Sequence, residues 1–148
     1  MIHDSTQGGF TFIELLLVFF VVIFIAALTI PVGVNFYRSQ TLSETTSDVL
    51  GAARRAQAQA MFQKNDSDFG VKFLSDSYVL FQGSSYATRV QSEDEIFFLP
   101  TGITAGGIDE VVFRKLAGTA SLTGVLAVSS GGSSQGIAIN REGKVERQ

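Results

Sequence analysis

The chain is 148 residues long, has no cysteine and one histidine, and carries a formal charge of -3. That length fits one small domain with an appended segment. The mild charge points to no nucleic-acid or acidic-substrate partner, and the absence of cysteine excludes a disulfide framework and a cysteine-ligated metal site.

Residues Met1 to Gly9 include His3 and Asp4 but no Lys or Arg. The chain then reads Gly9-Phe-Thr-Phe-Ile-Glu14, and a nearly uninterrupted apolar run follows from Leu15 to Val34. As a helix that run spans roughly 30 Å, the thickness of a bilayer core. Glu14 stands at its mouth. An ionised carboxylate at membrane depth costs about 3 kcal/mol unless it is paired or snorkels. A secretory signal peptide does not fit, because the run is too long and the start carries no basic residue. On hydropathy alone an ordinary single-pass anchor fits. Charge gives no orientation, since Arg38 follows the run and no basic residue precedes it. Pro31 removes the helical hydrogen bond to the Ala27 carbonyl, and Gly33 adds backbone freedom. Both a tolerated membrane kink and a weak point where the helix stretches during packing are open readings.

The motif Gly9 to Glu14, set directly against such a run, resembles the N-terminus of type IV pilin and type II secretion pseudopilin precursors. Pro31 matches the early proline of that family. The resemblance implies that Met1 to Gly9 is a leader. It also implies a prepilin peptidase that cuts after Gly9 and methylates the amine of Phe10. Glu14 is then the fifth residue of the mature chain, and Glu14 and Pro31 serve assembly. The only histidine lies in the leader, so the mature chain has no imidazole for a catalytic triad or a metal site.

From Asn35 to about residue 64 the pattern predicts a continuing helix. Leu42, Thr46, Val49, Ala53, Ala56 and Ala60 recur at three- and four-residue spacing as one apolar stripe. Lys64 and Asn65 form its stop. The whole helix is then one element of about 50 residues.

After Asn65 the period changes to two. Strands are expected at Phe69 to Leu74, Tyr78 to Phe81, Tyr86 to Gln91, Glu95 to Leu99, Val111 to Arg114, Val125 to Val128, Gly136 to Asn140 and Lys144 to Glu146. The glycine-rich stretches Thr101 to Gly107 and Ser130 to Gly136 read as loops. The fold class is α+β: a long N-terminal helix packed on a C-terminal antiparallel β domain of about seven or eight short strands. The ending Gly136-Ile-Ala-Ile-Asn-Arg-Glu-Gly-Lys-Val-Glu, and Ala52 to Ala60 in the helix, resemble minor pseudopilins of the GspH/FimT type.

Other candidate sites are weaker. Asp66-x-Asp68-x-Gly70 has half the form of a calcium loop but lacks the closing glutamate, so a helix-to-strand turn explains it. Glu93-Asp94-Glu95 reads as a solvated turn beside an apolar strand. Arg141, Lys144 and Arg147 form a basic end that Glu142 and Glu146 interrupt, which makes DNA contact unfavoured. The expected organisation is a leader at 1–9, a transmembrane and assembly helix at 10–34 and a soluble domain at 35–148. The expected role is a minor pilin or pseudopilin: a filament subunit with no catalytic residue, metal or cofactor. Its partners would be the prepilin peptidase, other pilins or pseudopilins and the lipid bilayer. The resemblance places it in the inner membrane with the β domain outside the cytoplasm. A pilus-tip adhesin or DNA receptor, and a plain anchored domain that never assembles, are the alternatives.

Overall fold

A computed structural model describes residues 9–148, with the backbone alone for residues 29–32. The leader, including His3 and Asp4, lies outside the described residues apart from Gly9. Helix α1 runs unbroken from Phe12 to Met61, through Pro31. It ends close to the expected stop. Gln63, Asn65 and Asp66 take left-handed backbone, and Lys64–Asp66 forms a single tight turn. The chain divides into two compact units, one up to Tyr37 and one from Arg38 to Gln148.

In the second unit the small-residue stripe of α1 is the buried face. Val49, Ala56, Ala60 and Thr46 are fully buried, and Leu42 and Ala53 nearly so. Thr46 satisfies its hydroxyl by donating to the Leu42 carbonyl at 2.7 Å, so a polar residue can sit on that face. Against the stripe pack eight strands: β1 (Phe69–Phe73), β2 (Ser77–Gln82), β3 (Glu95–Phe98), β4 (Ile103–Gly107), β5 (Glu110–Phe113), β6 (Gly124–Ser130), β7 (Ser133–Ile139) and β8 (Val145–Arg147). They form two antiparallel four-stranded sheets, ordered β3-β2-β1-β5 and β4-β6-β7-β8. One core joins the helix stripe to Phe69, Val71, Tyr78 and Leu80 of the first sheet and Leu126, Val128, Ile137 and Ile139 of the second. Most helix partners in this core are alanines, which let both sheets approach the helix backbone closely.

Three expectations need correction. Tyr86 to Gln91 is not a strand. It forms two short helical turns, Tyr86–Thr88 and Gln91–Glu93, over the outer face of the first sheet. There Tyr86 meets Phe81 edge to face at 5.7 Å, and the Arg89 guanidinium lies 3.7 Å from the Tyr86 ring centre. Glu93-Asp94-Glu95 is not simply solvated. Asp94 is largely buried and accepts from Arg89 Nε at 2.7 Å, which holds the guanidinium pKa above its ordinary value, and Glu95 pairs with Arg55. The two glycine-rich stretches are structured. Ile103–Gly107 is strand β4. In the second stretch Ser130 pairs with Ser133, so Gly131 and Gly132 alone make the turn, both at positive φ, as a right-twisted hairpin requires.

Candidate functional site

Gly9 and Phe10 precede α1 outside any helix or strand, and both are exposed. Among the described residues no atom lies within 4 Å of where a side chain on Gly9 would stand, and its backbone is not left-handed. Among the described residues nothing in the fold requires glycine there. The helix starts by a local device. Thr11 Oγ1 accepts the Glu14 N–H at 3.3 Å, and the Thr11 carbonyl accepts from Leu15 N at 3.2 Å. This is half of a capping box, Thr-x-x-Glu, and it fixes the first turn just after Phe10. Glu14 lies in that turn, where an acidic group meets the positive end of the helix dipole.

Beyond Glu14 the helix surface is apolar on all sides. Leu16, Leu17, Phe20, Ile23, Phe24 and Leu28 are all exposed, and Phe20 stacks on Phe24 at 6.3 Å. A helix hydrophobic all round belongs inside a large core or a membrane. α1 is long and apolar enough to cross a membrane by length and composition. Pro31 lies 17 residues after Glu14, about 25 Å along the axis, so the two do not share one local site.

The discounted sites resolve into structural roles. Asp68 Oδ1 accepts from the Lys115 N–H at 2.7 Å, and Asp66 pairs with Lys115 Nζ at 3.0 Å. The two carboxylates thus tie the helix-to-strand turn to the loop after β5. At the C-terminus Lys144 pairs with Glu146 at 2.7 Å, and Arg147 donates to Ser43 Oγ at 3.1 Å. Lys144 is thus neutralised locally, and Arg147 is tied to α1 through a neutral hydroxyl.

No family model and no curated protein matches the chain in sequence. The fold does match a solved structure, the minor pseudopilin EpsH from the type 2 secretion system of Vibrio cholerae. The superposition has a TM-score of 0.54 at 10% identity and covers 72% of this chain and 94% of that one. The fold is that of a pseudopilin. A long N-terminal helix packed on two antiparallel sheets is the shared architecture. At this level of identity the likeness concerns the path of the backbone. The candidate residues at the N-terminus of this chain are Gly9, Phe10, Thr11 and Glu14. Thr11 is the one that pattern reading missed, although Thr and Glu three residues apart before an apolar run signal a capping box.

Proposed function

We propose that this chain is a minor pilin or pseudopilin, a structural subunit of a type IV pilus or type II secretion pseudopilus. A prepilin peptidase cuts after Gly9 and methylates Phe10. The apolar half of α1 holds the subunit in the inner membrane as a single pass, with the β domain outside the cytoplasm, until it joins other pilins or pseudopilins in a filament. The observation that carries this reading is a glycine that meets no contact among the described residues, set just before a carboxylate in the first turn of an exposed apolar helix. A requirement that the fold does not impose fits one imposed by another molecule's pocket.

Glu14 then offers its carboxylate to the amine of a neighbouring Phe10. In lipid each group alone is costly, and pairing in register satisfies both. Pro31 supplies the weak point at which the helix adjusts to its neighbours, since its ring leaves the Ala27 carbonyl without a helical donor.

Mass spectrometry of membrane fractions tests the reading. The expected product begins at methylated Phe10, and Gly9→Val leaves the chain full-length, because a pocket that admits only hydrogen rejects a branched side chain. A wild-type chain that keeps Met1 to Gly9, or a Gly9→Val chain still trimmed to Phe10, would overturn it in favour of an ordinary anchored domain.

A further inference from the structure

The first sheet has one closed edge and one open edge. β5 is closed: its Val112 carbonyl accepts from Ser121 N at 2.8 Å, and its Val112 N–H donates to Ser121 Oγ at 3.0 Å. β3, at the other end, pairs only with β2 among the described residues. The Leu99 N–H donates to the Asp76 carbonyl at 2.8 Å, which makes these two a hydrogen-bonded pair. By the alternation of an antiparallel ladder, Phe97 and Glu95 also turn their backbone groups to β2, and Ile96 and Phe98 turn theirs outward. Their side chains are 57% and 78% exposed. The strand Glu-Ile-Phe-Phe has neither the proline nor the lysine that usually blunts such an edge.

Beside this edge, between α1 and the inner face of β2 and β3, runs a groove of about 430 Å³ lined by Ser47, Asp48, Gly51, Arg55, Tyr78 and Phe97. Tyr78 is only 5% exposed and stacks on Phe97 at 5.0 Å. Its hydroxyl has no hydrogen-bond partner among the described residues. A phenol hydroxyl that meets no protein partner and lines an open groove can donate to or accept from an incoming group. The charges are also unbalanced. Arg55 is matched by Glu95 at 2.7 Å, but Asp48 has no ion pair among the described residues. The groove therefore has aromatic walls, a free phenol and one uncompensated negative charge.

We propose that β3 and this groove bind an extended strand of a partner protein that carries a lysine or arginine on its inward side. The strand pairs with the outward backbone groups of Ile96 and Phe98. Its apolar residues on one side cover the Ile96 and Phe98 side chains. On the other side the stem of the basic residue lies against Phe97 and Tyr78, and its head reaches Asp48 and the Tyr78 hydroxyl. The site lies wholly within the unit from Arg38 to Gln148. It stands whether or not the chain is processed as a pilin.

The test uses the full chain in detergent micelles and a labelled, blocked peptide, Thr-Val-Thr-Val-Lys-Val-Thr-Val-Thr, followed by fluorescence anisotropy. Saturable binding is expected. It should weaken by about tenfold when the peptide lysine becomes glutamate or when Asp48→Asn removes the charge, and by severalfold in Tyr78→Phe. Hydrogen exchange at the Ile96 and Phe98 amides should slow with bound peptide. Asp48 is exposed, so its neutral variant keeps the fold. Equal affinity for the lysine and glutamate peptides, no saturation, or protection that falls elsewhere would each overturn the proposal.

Discussion

Glu14 is the residue on which assembly should turn. On the function proposed, replacing it with alanine removes the partner for an incoming amine but leaves Gly9 and Phe10 as they were. Glu14→Ala is therefore expected to be trimmed normally and to be depleted from sheared filaments or crosslinked complexes. Glu14→Asp should be intermediate, because the charge stays but the reach shortens. Wild-type levels of Glu14→Ala in those assemblies would reduce Glu14 to a tolerated helix cap. A second residue with a sharp expectation is Gly70. It sits opposite Phe81, and an added Cβ would stand 2.5 Å from the Phe81 ring and 2.7 Å from the Val111 carbonyl oxygen. Gly70→Ala should cost about 2 kcal/mol in chemical denaturation. A smaller side chain in Gly70→Ala/Phe81→Leu should recover part of that loss. The backbone carbonyl cannot move aside, so recovery should stay incomplete. Of the N-terminal residues, Gly9, Phe10 and Glu14 were legible as a motif. Thr11 was not, because its contribution is a hydrogen bond to its own helix rather than a chemistry of its own.

Among the elements, α1 was the most readable, because its buried stripe keeps a 3.6 period from Leu42 to Ala60. Seven of the strands also carry enough alternation to show. The rest failed for identifiable reasons. Tyr86 to Gln91 alternates like a strand, but Arg89 bonds back to the Tyr86 carbonyl at 2.7 Å and to Asp94, and these contacts curl the segment into turns. β4 has the composition Ile-Thr-Ala-Gly-Gly and is held as a strand by pairing along β6, a tertiary cause that no local pattern displays. The packing of α1 makes its own prediction. Ala56 is fully buried on the stripe, so Ala56→Leu should destabilise by about 1–3 kcal/mol through overpacking, read from denaturant midpoints. The helix also bears on alkaline stability. Burial, and then the charge of Asp48, push the Tyr78 phenol up to about 12. The unfolded chain ionises it near 10, so this contribution is intact below pH 10 and is lost as pH rises toward 12. Thermal melts across that window should fall less steeply in Tyr78→Phe than in the wild type. Parallel curves would contradict the assignment.

At the scale of the whole molecule, the exposed apolar surface is concentrated in the unit that ends at Tyr37, and the unit from Arg38 has a core of its own. A fragment starting at Arg38 should be soluble and monomeric by sedimentation and should melt cooperatively, while the full chain should require detergent or bilayer. A fragment that aggregates without a transition would move the boundary.

The last strand, β8, closes on the first buried turns of α1. Arg54 Nη2 donates to the Val145 carbonyl at 3.0 Å, and Arg147 Nη2 donates to Ser43 Oγ at 3.1 Å, across separations of 91 and 104 residues. A ribosome adding roughly 5–20 residues per second needs about 5 to 20 s to travel from one partner to the other. During that interval the apolar segment is already made, yet the alanine stripe still lacks part of its cover, because the second sheet is unfinished. The domain can therefore complete its core only at the end of synthesis. A stop codon just before Val145 should leave a chain whose N-terminal helix still enters the membrane but whose remainder is quickly degraded, and pulse-chase labelling would show this as a short-lived product.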